Sequence, residues 1–264
     1  MSLADLSAYM IYREELVLDA SFFHGGEPGG WDLLKLLEET LRISGAHDQL
    51  IASLNGRPFL DEGQVWVITH YSIDILKHLQ INDEIEMTTR VGASNRFFIT
   101  RYFEIRDKED LAVTIHIQYA AIHYQKRSIV RIDDQFLLDR NLIDKTIKAP
   151  YQKLSRPQNL QADRYREYTI DERSIDGNNH VNNLVYLSWC YHQLEPQFMN
   201  DYQVKHLEVK YGKEVLKGDR VSVETVIEMD PKEARTYHYI NNLSKETNAS
   251  IVLIEWQSRG ENGI

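Results

Sequence analysis

The chain says the same thing twice, and that repeat limits what it can fold into. The stretch YREELVLDASFF begins at Tyr12, and YREYTIDERSID begins at Tyr165, 153 residues later. Each is strand-like, each is followed by glycine or asparagine punctuation, and each leads into a pattern of helical period. The first predicted helix covers about residues 31–43, with Leu33, Leu34, Leu37 and Leu41 at helical spacing. The second covers about 181–194 and carries Leu184, Val185, Leu187, Trp189 and Tyr191. Both are apolar around most of their circumference, which suits a helix wrapped on several sides by sheet.

A run of strands follows each helix. EIEMTTRV sets Ile85, Met87, Thr89 and Val91 against Glu84, Glu86, Thr88 and Arg90, the period of a half-buried strand. RFFITRYFEIR and LAVTIHIQYAAIHY come next, parted by a turn at residues 107–110. DRVSVETVIEM, ARTYHYINN and ASIVLIEWQ repeat the arrangement in the second half. A turn opens each set, Asn82-Asp83 in one half and Gly218-Asp219 in the other. They lie 70 and 53 residues beyond their respective tyrosines, so an extra loop is expected in the first half, around SLNGRPFLDEGQ. Strand, buried helix and antiparallel meander is the outline of a hot-dog domain. The expected fold is therefore α+β, a tandem double hot-dog: one domain over 1–144, a Pro-containing link over 145–164 and a second domain over 165–264. The pattern alone also admits two unrelated α+β units.

Charge and cysteine content narrow the function. The net charge of −10 argues against a general nucleic-acid binder, which carries a basic surplus. A single cysteine, Cys190, excludes an intrachain disulfide framework and a multi-cysteine metal site. The ten histidines include no H-E-x-x-H, so no metal is expected. HGGEPGG (24–30) sits between strand and helix like a phosphate loop but lacks the Gly-Lys-Ser/Thr ending. There is no signal-peptide pattern at the N-terminus and no apolar run of membrane-spanning length, so a cytoplasmic protein without stable membrane insertion is expected.

The chemistry concentrates in DGNNHVNNLVYLSW. Asp176, Asn178 and His180 alternate with Gly177 and Asn179, and an extended chain would put all three on one face. Asn and Asp before a helix often form only Asx-turns and N-caps. That bland account covers D-G-N-N but not His180 in register with it.

This segment resembles the D-x-N-x-H-V-N-N-x-x-Y motif of acyl-acyl-carrier-protein thioesterases. QVWVITHYSIDI (64–75) resembles that family's tryptophan-bearing strand, and LEVKYGKEVLKGDRV (207–221) the strand holding its remaining catalytic acid. The resemblance covers most of the chain in the right order. It implies a catalytic set of Asp176, Asn178, His180 and Glu214 in the second domain, with the first domain shaping an acyl tunnel. Many plant members carry a cysteine beside the acid. Val215 stands there in this chain, which argues against a cysteine nucleophile.

The implied reaction is hydrolysis of fatty acyl-ACP to free fatty acid and holo-ACP, by a bacterial member that needs no cofactor. The alternatives are an acyl-CoA thioesterase or a hot-dog 3-hydroxyacyl dehydratase. A thioester carbonyl needs a positioned water or carboxylate, a proton acceptor and an oxyanion site. The backbone N–H groups of a helix starting near Val181 are expected to supply the last of these. At the offset of 153, Phe23, Gly25 and Glu27 stand where Asp176, Asn178 and His180 would, so the first half has no copy of the site. The partner is acyl carrier protein, with docking expected on Lys145, Lys148, Lys153 and Arg156 or on Lys205, Lys210, Lys213, Lys217 and Arg220. The protein is expected as a monomer or homodimer.

Overall fold

The computed structural model describes residues 9–23, 32–132, 135–139, 141–148, 150–176, 180–230 and 232–260. The chain divides into two compact units. One is Met1–Thr69 with Ile73–Pro150, and the other is Tyr151–Ile264 with His70–Ser72.

The first unit contains β1 (Tyr12–Val17), α1 (Leu33–Asn55), β2 (Gln64–Ile75), β3 (Glu84–Ser94), β4 (Phe98–Asp107), β5 (Asp110–His123), β6 (Ser128–Ile129) and α2 (Gln135–Asp139). Its sheet runs in the order β1-β3-β4-β5-β2, with β6 added on β5. The long helix α1 lies against β1 and β3. It buries Leu33, Leu36, Leu37, Thr40, Ile43, Ser44, His47 and Ile51, the i, i+3/i+4 stripe that faces a sheet. The Asp32 carboxylate caps its N-terminus by accepting from the Leu34 and Lys35 amides at 2.9 and 3.3 Å.

α1 runs twelve residues past the predicted end at residue 43. Gly45 looks like a stop signal in the sequence, but the glycine that ends the helix is Gly56, in the left-handed conformation with φ 74°. This also relocates the extra length of the first half. α1 has 23 residues and its counterpart in the second unit has 9, so the excess is mostly helix and not the predicted loop.

The second unit contains β7 (Arg164–Thr169), α3 (Asn183–Tyr191), α4 (Pro196–Asp201), β8 (Tyr202–Tyr211), β9 (Arg220–Met229), β10 (Glu233–Asn242) and β11 (Thr247–Ser258). Its order, β7-β9-β10-β11-β8, reproduces that of the first unit strand for strand. α3 packs on β9 and β11. Residues 151–163 are strapped to this sheet. Leu154 is buried with Tyr239, Ile251 and Leu253. Arg156 grips Glu224 through two hydrogen bonds of 2.9 and 3.0 Å, and Asp163 bonds the Thr225 carbonyl and the Ile227 amide at 2.8 Å each.

The internal repeat is real, but its register is 152 residues, not 153. Val17 pairs with Glu84, the first residue of β3, and Thr169 with Arg220, the first residue of β9. The Leu18 amide donates to Asp83 and the Ile170 amide to Asp219, while the Asn82 and Gly218 amides donate back to Leu18 and Ile170. Asp19 and Asp171 cap matching 3-10 turns, Ala20–Phe22 and Glu172–Ser174. The two Tyr-Arg-Glu triplets therefore sit one residue out of step, and in a strand that places them on opposite faces. Phe23 corresponds to Ile175. The positions opposite Asp176, Asn178 and His180 are His24, Gly26 and Pro28, which lie outside the described residues.

Candidate active site

The segment carrying the motif is held by its ends. Ile175 and Val181 form an antiparallel bridge. Inside it the Asp176 amide donates to the His180 carbonyl at 2.8 Å, and the His180 amide donates to Asp176 Oδ1 at 3.2 Å. Asp176 and His180 thus face each other where the chain doubles back. Asn178 lies outside the described residues.

Two further bonds anchor this turn. The Asn182 amide donates to Ser174 at 2.9 Å, and the Val181 amide donates to the Val215 carbonyl at 3.1 Å. The second bond joins the motif to the segment bearing Glu214, 33 residues on in sequence.

That segment is positioned by close backbone approach. The Gly212 amide donates to Ala249 at 2.8 Å and the Lys213 amide to Asn248 at 3.0 Å. A Cβ on Gly212 would stand 2.5 Å from the Asn248 carbonyl oxygen, so only glycine fits there. On the far side, Asp219 Oδ2 accepts from the Leu216 amide at 2.9 Å, Asn242 Nδ2 at 2.7 Å and Lys245 Nζ at 2.7 Å. Residues 213–215 are pinned from both ends.

The result is a direct meeting of His180 and Glu214, with Nε2 and Oε2 3.3 Å apart. The imidazole side chain is only 12% exposed and the carboxylate 39%, so solvent reaches the pair from the glutamate side. Three of the four residues expected from the sequence, Asp176, His180 and Glu214, are therefore brought together.

Beneath them lies Tyr186, the last residue of the motif, which sequence reasoning assigned no role. It is buried, its hydroxyl sits against the Val215 backbone amide, and burial, reinforced by the charge of Glu214, pushes its pKa up. Tyr211 fixes the start of the neighbouring helix by donating from its hydroxyl to the Asn183 carbonyl at 2.8 Å. The motif's closing tyrosine could have signalled Tyr186. Nothing in the sequence singles out Gly212, and Asp219 is marked there only as part of the Gly218-Asp219 turn.

Two expectations need correction. α3 begins at Asn183, not Val181, because Asn182 is its N-cap. The Asn182 side chain accepts from the Leu184 amide at 2.9 Å and its carbonyl accepts from the Val185 amide at 3.0 Å. Those first-turn amides are already used and do not form an oxyanion hole. Much of the basic series around Glu214 is also paired: Lys205 with Glu233 at 2.9 Å, Lys217 with Glu172 and Arg220 with Glu167. Lys210 and Lys213 are exposed beside the site. Cys190 is fully buried, and burial raises its thiol well above its ordinary pKa, which keeps it protonated and inert.

Comparison with known proteins adds a family. Residues 23–139 match the acyl-ACP thioesterase N-terminal domain and residues 158–258 the acyl-ACP thioesterase C-terminal domain. The chain is 26% identical over 204 residues to the chloroplastic acyl-[acyl-carrier-protein] hydrolase FATB3 of Cuphea viscosissima, covering 74% of this chain. It spans about half the length of that relative, 49%. Among solved structures, a putative oleoyl thioesterase from Lactobacillus plantarum superposes with a TM-score of 0.77 at 23% identity, over 95% of this chain and 97% of its own. The 12:0-ACP thioesterase of Umbellularia californica gives 0.81 at 15% identity, over 98% of each chain. These likenesses fix the fold as a double hot-dog.

Proposed function

We propose that this chain, which belongs to the acyl-acyl-carrier-protein thioesterase family, hydrolyses fatty acyl-ACP to free fatty acid and holo-ACP. The observation that carries the proposal is the 3.3 Å approach of His180 Nε2 to Glu214 Oε2 at the mouth of the motif turn. An imidazole held by a carboxylate is an acid–base pair that works near neutral pH.

In the proposed reaction, water enters on the exposed side of Glu214 and adds through its oxygen to the thioester carbonyl carbon. The His180–Glu214 pair takes one of its protons. The C–S bond then breaks, and the pair returns that proton to the departing sulfur, leaving a fatty acid and the phosphopantetheine thiol. Asn178 is assigned to the carbonyl oxygen. Asp176 acts as a positioning residue, since one of its carboxylate oxygens already holds the His180 backbone.

Among the described residues no helix is long and apolar enough to cross a membrane. The proposal places the protein in a bacterial cytoplasm, as a monomer or homodimer acting on carrier-bound chains. The test is a panel of acyl-ACPs of varied length beside the matching acyl-CoAs, with thiol release and free fatty acid both measured. Release from acyl-ACP, weak on CoA, is the expected result. Equal turnover of CoA thioesters would shift the function to an acyl-CoA thioesterase, and loss of water from a 3-hydroxyacyl chain with the thioester intact would shift it to a dehydratase.

A further inference from the structure

The two halves of the candidate site arrive on different elements. His180 precedes α3, and Glu214 lies in the loop that leaves β8. One backbone bond, from the Val181 amide to the Val215 carbonyl at 3.1 Å, joins the two segments directly. Two tyrosines join them again, each reaching from one side to the other. Tyr211, the last residue of β8, donates its hydroxyl to the Asn183 carbonyl at the start of α3, at 2.8 Å. Tyr186, in α3, sets its hydroxyl against the Val215 amide, next to Glu214. The two rings meet edge to face, with centroids 5.5 Å apart and planes at 81°. Tyr71 packs on Tyr211 at 6.1 Å and Trp189 on Tyr186 at 5.2 Å, so ring packing sets the direction of both hydroxyls.

The first copy of the fold shows that its loop is built without such hydroxyls. β2 ends at Ile75 as β8 ends at Tyr211, and the turn aspartates Asp83 and Asp219 follow at the same spacing. The backbone bonds match. The Leu76 and Gly212 amides donate to Ala112 and Ala249, each at 2.8 Å, and the Asp83 and Asp219 amides to Gln80 and Leu216, each at 3.1 Å. The Gln80 and Leu216 amides donate in turn to the aspartate side chains, at 2.7 and 2.9 Å. Yet the position of Tyr211 holds a buried Ile75. Counted from the helix caps Asp32 and Asn182, the position of Tyr186 holds a buried Leu36. In the same copy His78 stands for Glu214 and Pro28 for His180. Aliphatic side chains serve the frame where the acid–base pair is missing, and hydroxyls stand there where it is present.

We propose that Tyr186 and Tyr211 are positioning residues, a crossed tie whose two hydroxyls fix the spacing of His180 and Glu214. This role rests on the proposed function, since a fixed spacing matters only if the pair moves a proton. Without one strand of the tie the Glu214 loop can drift from the imidazole, and a displacement of about 1 Å can cost ~10²-fold in rate. Both tyrosines act through the pair and not on the substrate, so kcat should carry the effect and KM should not.

The experiment uses Tyr211→Phe and Tyr186→Phe, which keep the rings and remove only the hydroxyls. The Asn183 carbonyl keeps its place in the helical ladder, so the fold should survive in Tyr211→Phe. On acyl-ACP each variant should lower kcat about 10-fold with KM unchanged, the scale of one hydrogen bond. In a Glu214→Gln background neither should lower kcat further, because the acid they position is already gone. Histidine NMR gives a measure that needs no turnover, with the His180 resonance identified by His180→Ala. Glu214→Gln should move that resonance, and each Phe variant should move it part of the way in the same direction. Failure of the wild type to hydrolyse any acyl-ACP or acyl-CoA would defeat the proposed function, and the resonance would then decide whether the tyrosines hold the pair. Full kcat in either variant, a loss that persists undiminished on top of Glu214→Gln, or a His180 resonance left at its wild-type position would overturn the tie.

Discussion

Acid should destabilise this protein well before its carboxylates titrate. His238 is completely buried, with Nδ1 2.8 Å from Thr225 Oγ1 and Nε2 3.0 Å from Thr236 Oγ1, and the Thr236 hydroxyl also receives the Trp256 Nε1 proton at 3.0 Å. Burial holds its pKa down to about 3. His47, in the other unit, is held down to about 3 by burial and by the Arg101 charge. In the unfolded chain both return to about 6.5, so between those values the unfolded state binds more protons. Their stabilising contribution is complete above pH ~6.5 and is lost as pH falls toward 3. One pKa unit is about 1.4 kcal/mol, so each histidine removes roughly 2 kcal/mol by pH 5 and roughly 4–5 kcal/mol in full. The assay is urea unfolding at several pH values from 7.5 to 5, a window above the carboxylate range. His238→Gln, which keeps polar contact with the threonines but cannot titrate, should remove about half of the pH dependence. Stability that stays flat from pH 7.5 to 5, or a slope that His238→Gln leaves intact, would refute the assignment of two buried neutral imidazoles.

The candidate site gives three further tests. His180→Ala, Asn178→Ala and Glu214→Gln should each lower kcat at least ~10²-fold without changing far-ultraviolet circular dichroism, and near-wild-type turnover would remove that residue from the mechanism. Cys190→Ala should stay active while losing roughly 1–3 kcal/mol of stability; rapid, substrate-protected inactivation of wild type by a thiol reagent would revive a cysteine nucleophile. For the carrier, Lys210→Glu with Lys213→Glu should raise KM for acyl-ACP severalfold and spare a short acyl-CoA, with the salt dependence of acyl-ACP turnover weakened in the variant. Equal effects on both substrates would show that these lysines do not dock the carrier.

Some of this architecture can be read in the residues and some cannot, for physical reasons. The strands were legible because alternation survives wherever one face is buried, and the opening turns because Asn82 and Gly218 both adopt positive φ, at 69° and 84°. The helix boundary was not, because the leucine spacing marks only the first turns and only the backbone shows that Gly56, in left-handed conformation, ends the helix. The repeat register was misread because identical side chains outweigh a one-residue slip in a sequence, whereas the ladder is set by backbone pairing. At the site, His180 and Glu214 were within reach through the motif and the strand that resembles the family's acidic strand. Gly212 was not, and Asp219 was legible only as a turn residue, because their importance to the site lies in contacts with Asn248, Asn242 and Lys245, which no local pattern announces.

The two copies of the fold keep their frame and differ where a ligand would act. Both retain the strand order, the capped 3-10 turn after the first strand and the aspartate turn before the meander, where Asp83 accepts from the Gln80 amide at 2.7 Å as Asp219 does from Leu216 at 2.9 Å. Those features organise backbone. The divergence lies in the helix and its approach. In the first copy the helix is lengthened to 23 residues and runs past a cavity with Gly45 at its wall. In the second it is 9 residues long, and its Tyr186, Leu187, Trp189 and Cys190 are buried. A chain-binding role for the first copy belongs to the proposed function. The second copy has a tightly tied turn and a packed helix beneath it, the rigidity that holding His180 against Glu214 requires. Loosening that support should separate the two roles: Gly212→Ala, whose Cβ would stand 2.5 Å from the Asn248 oxygen, should displace Glu214 and lower kcat about 10-fold or more. The same variant should leave binding of a fatty acid in the first unit unchanged. Loss of binding together with loss of turnover would mean that chain recognition and catalysis are not divided between the copies.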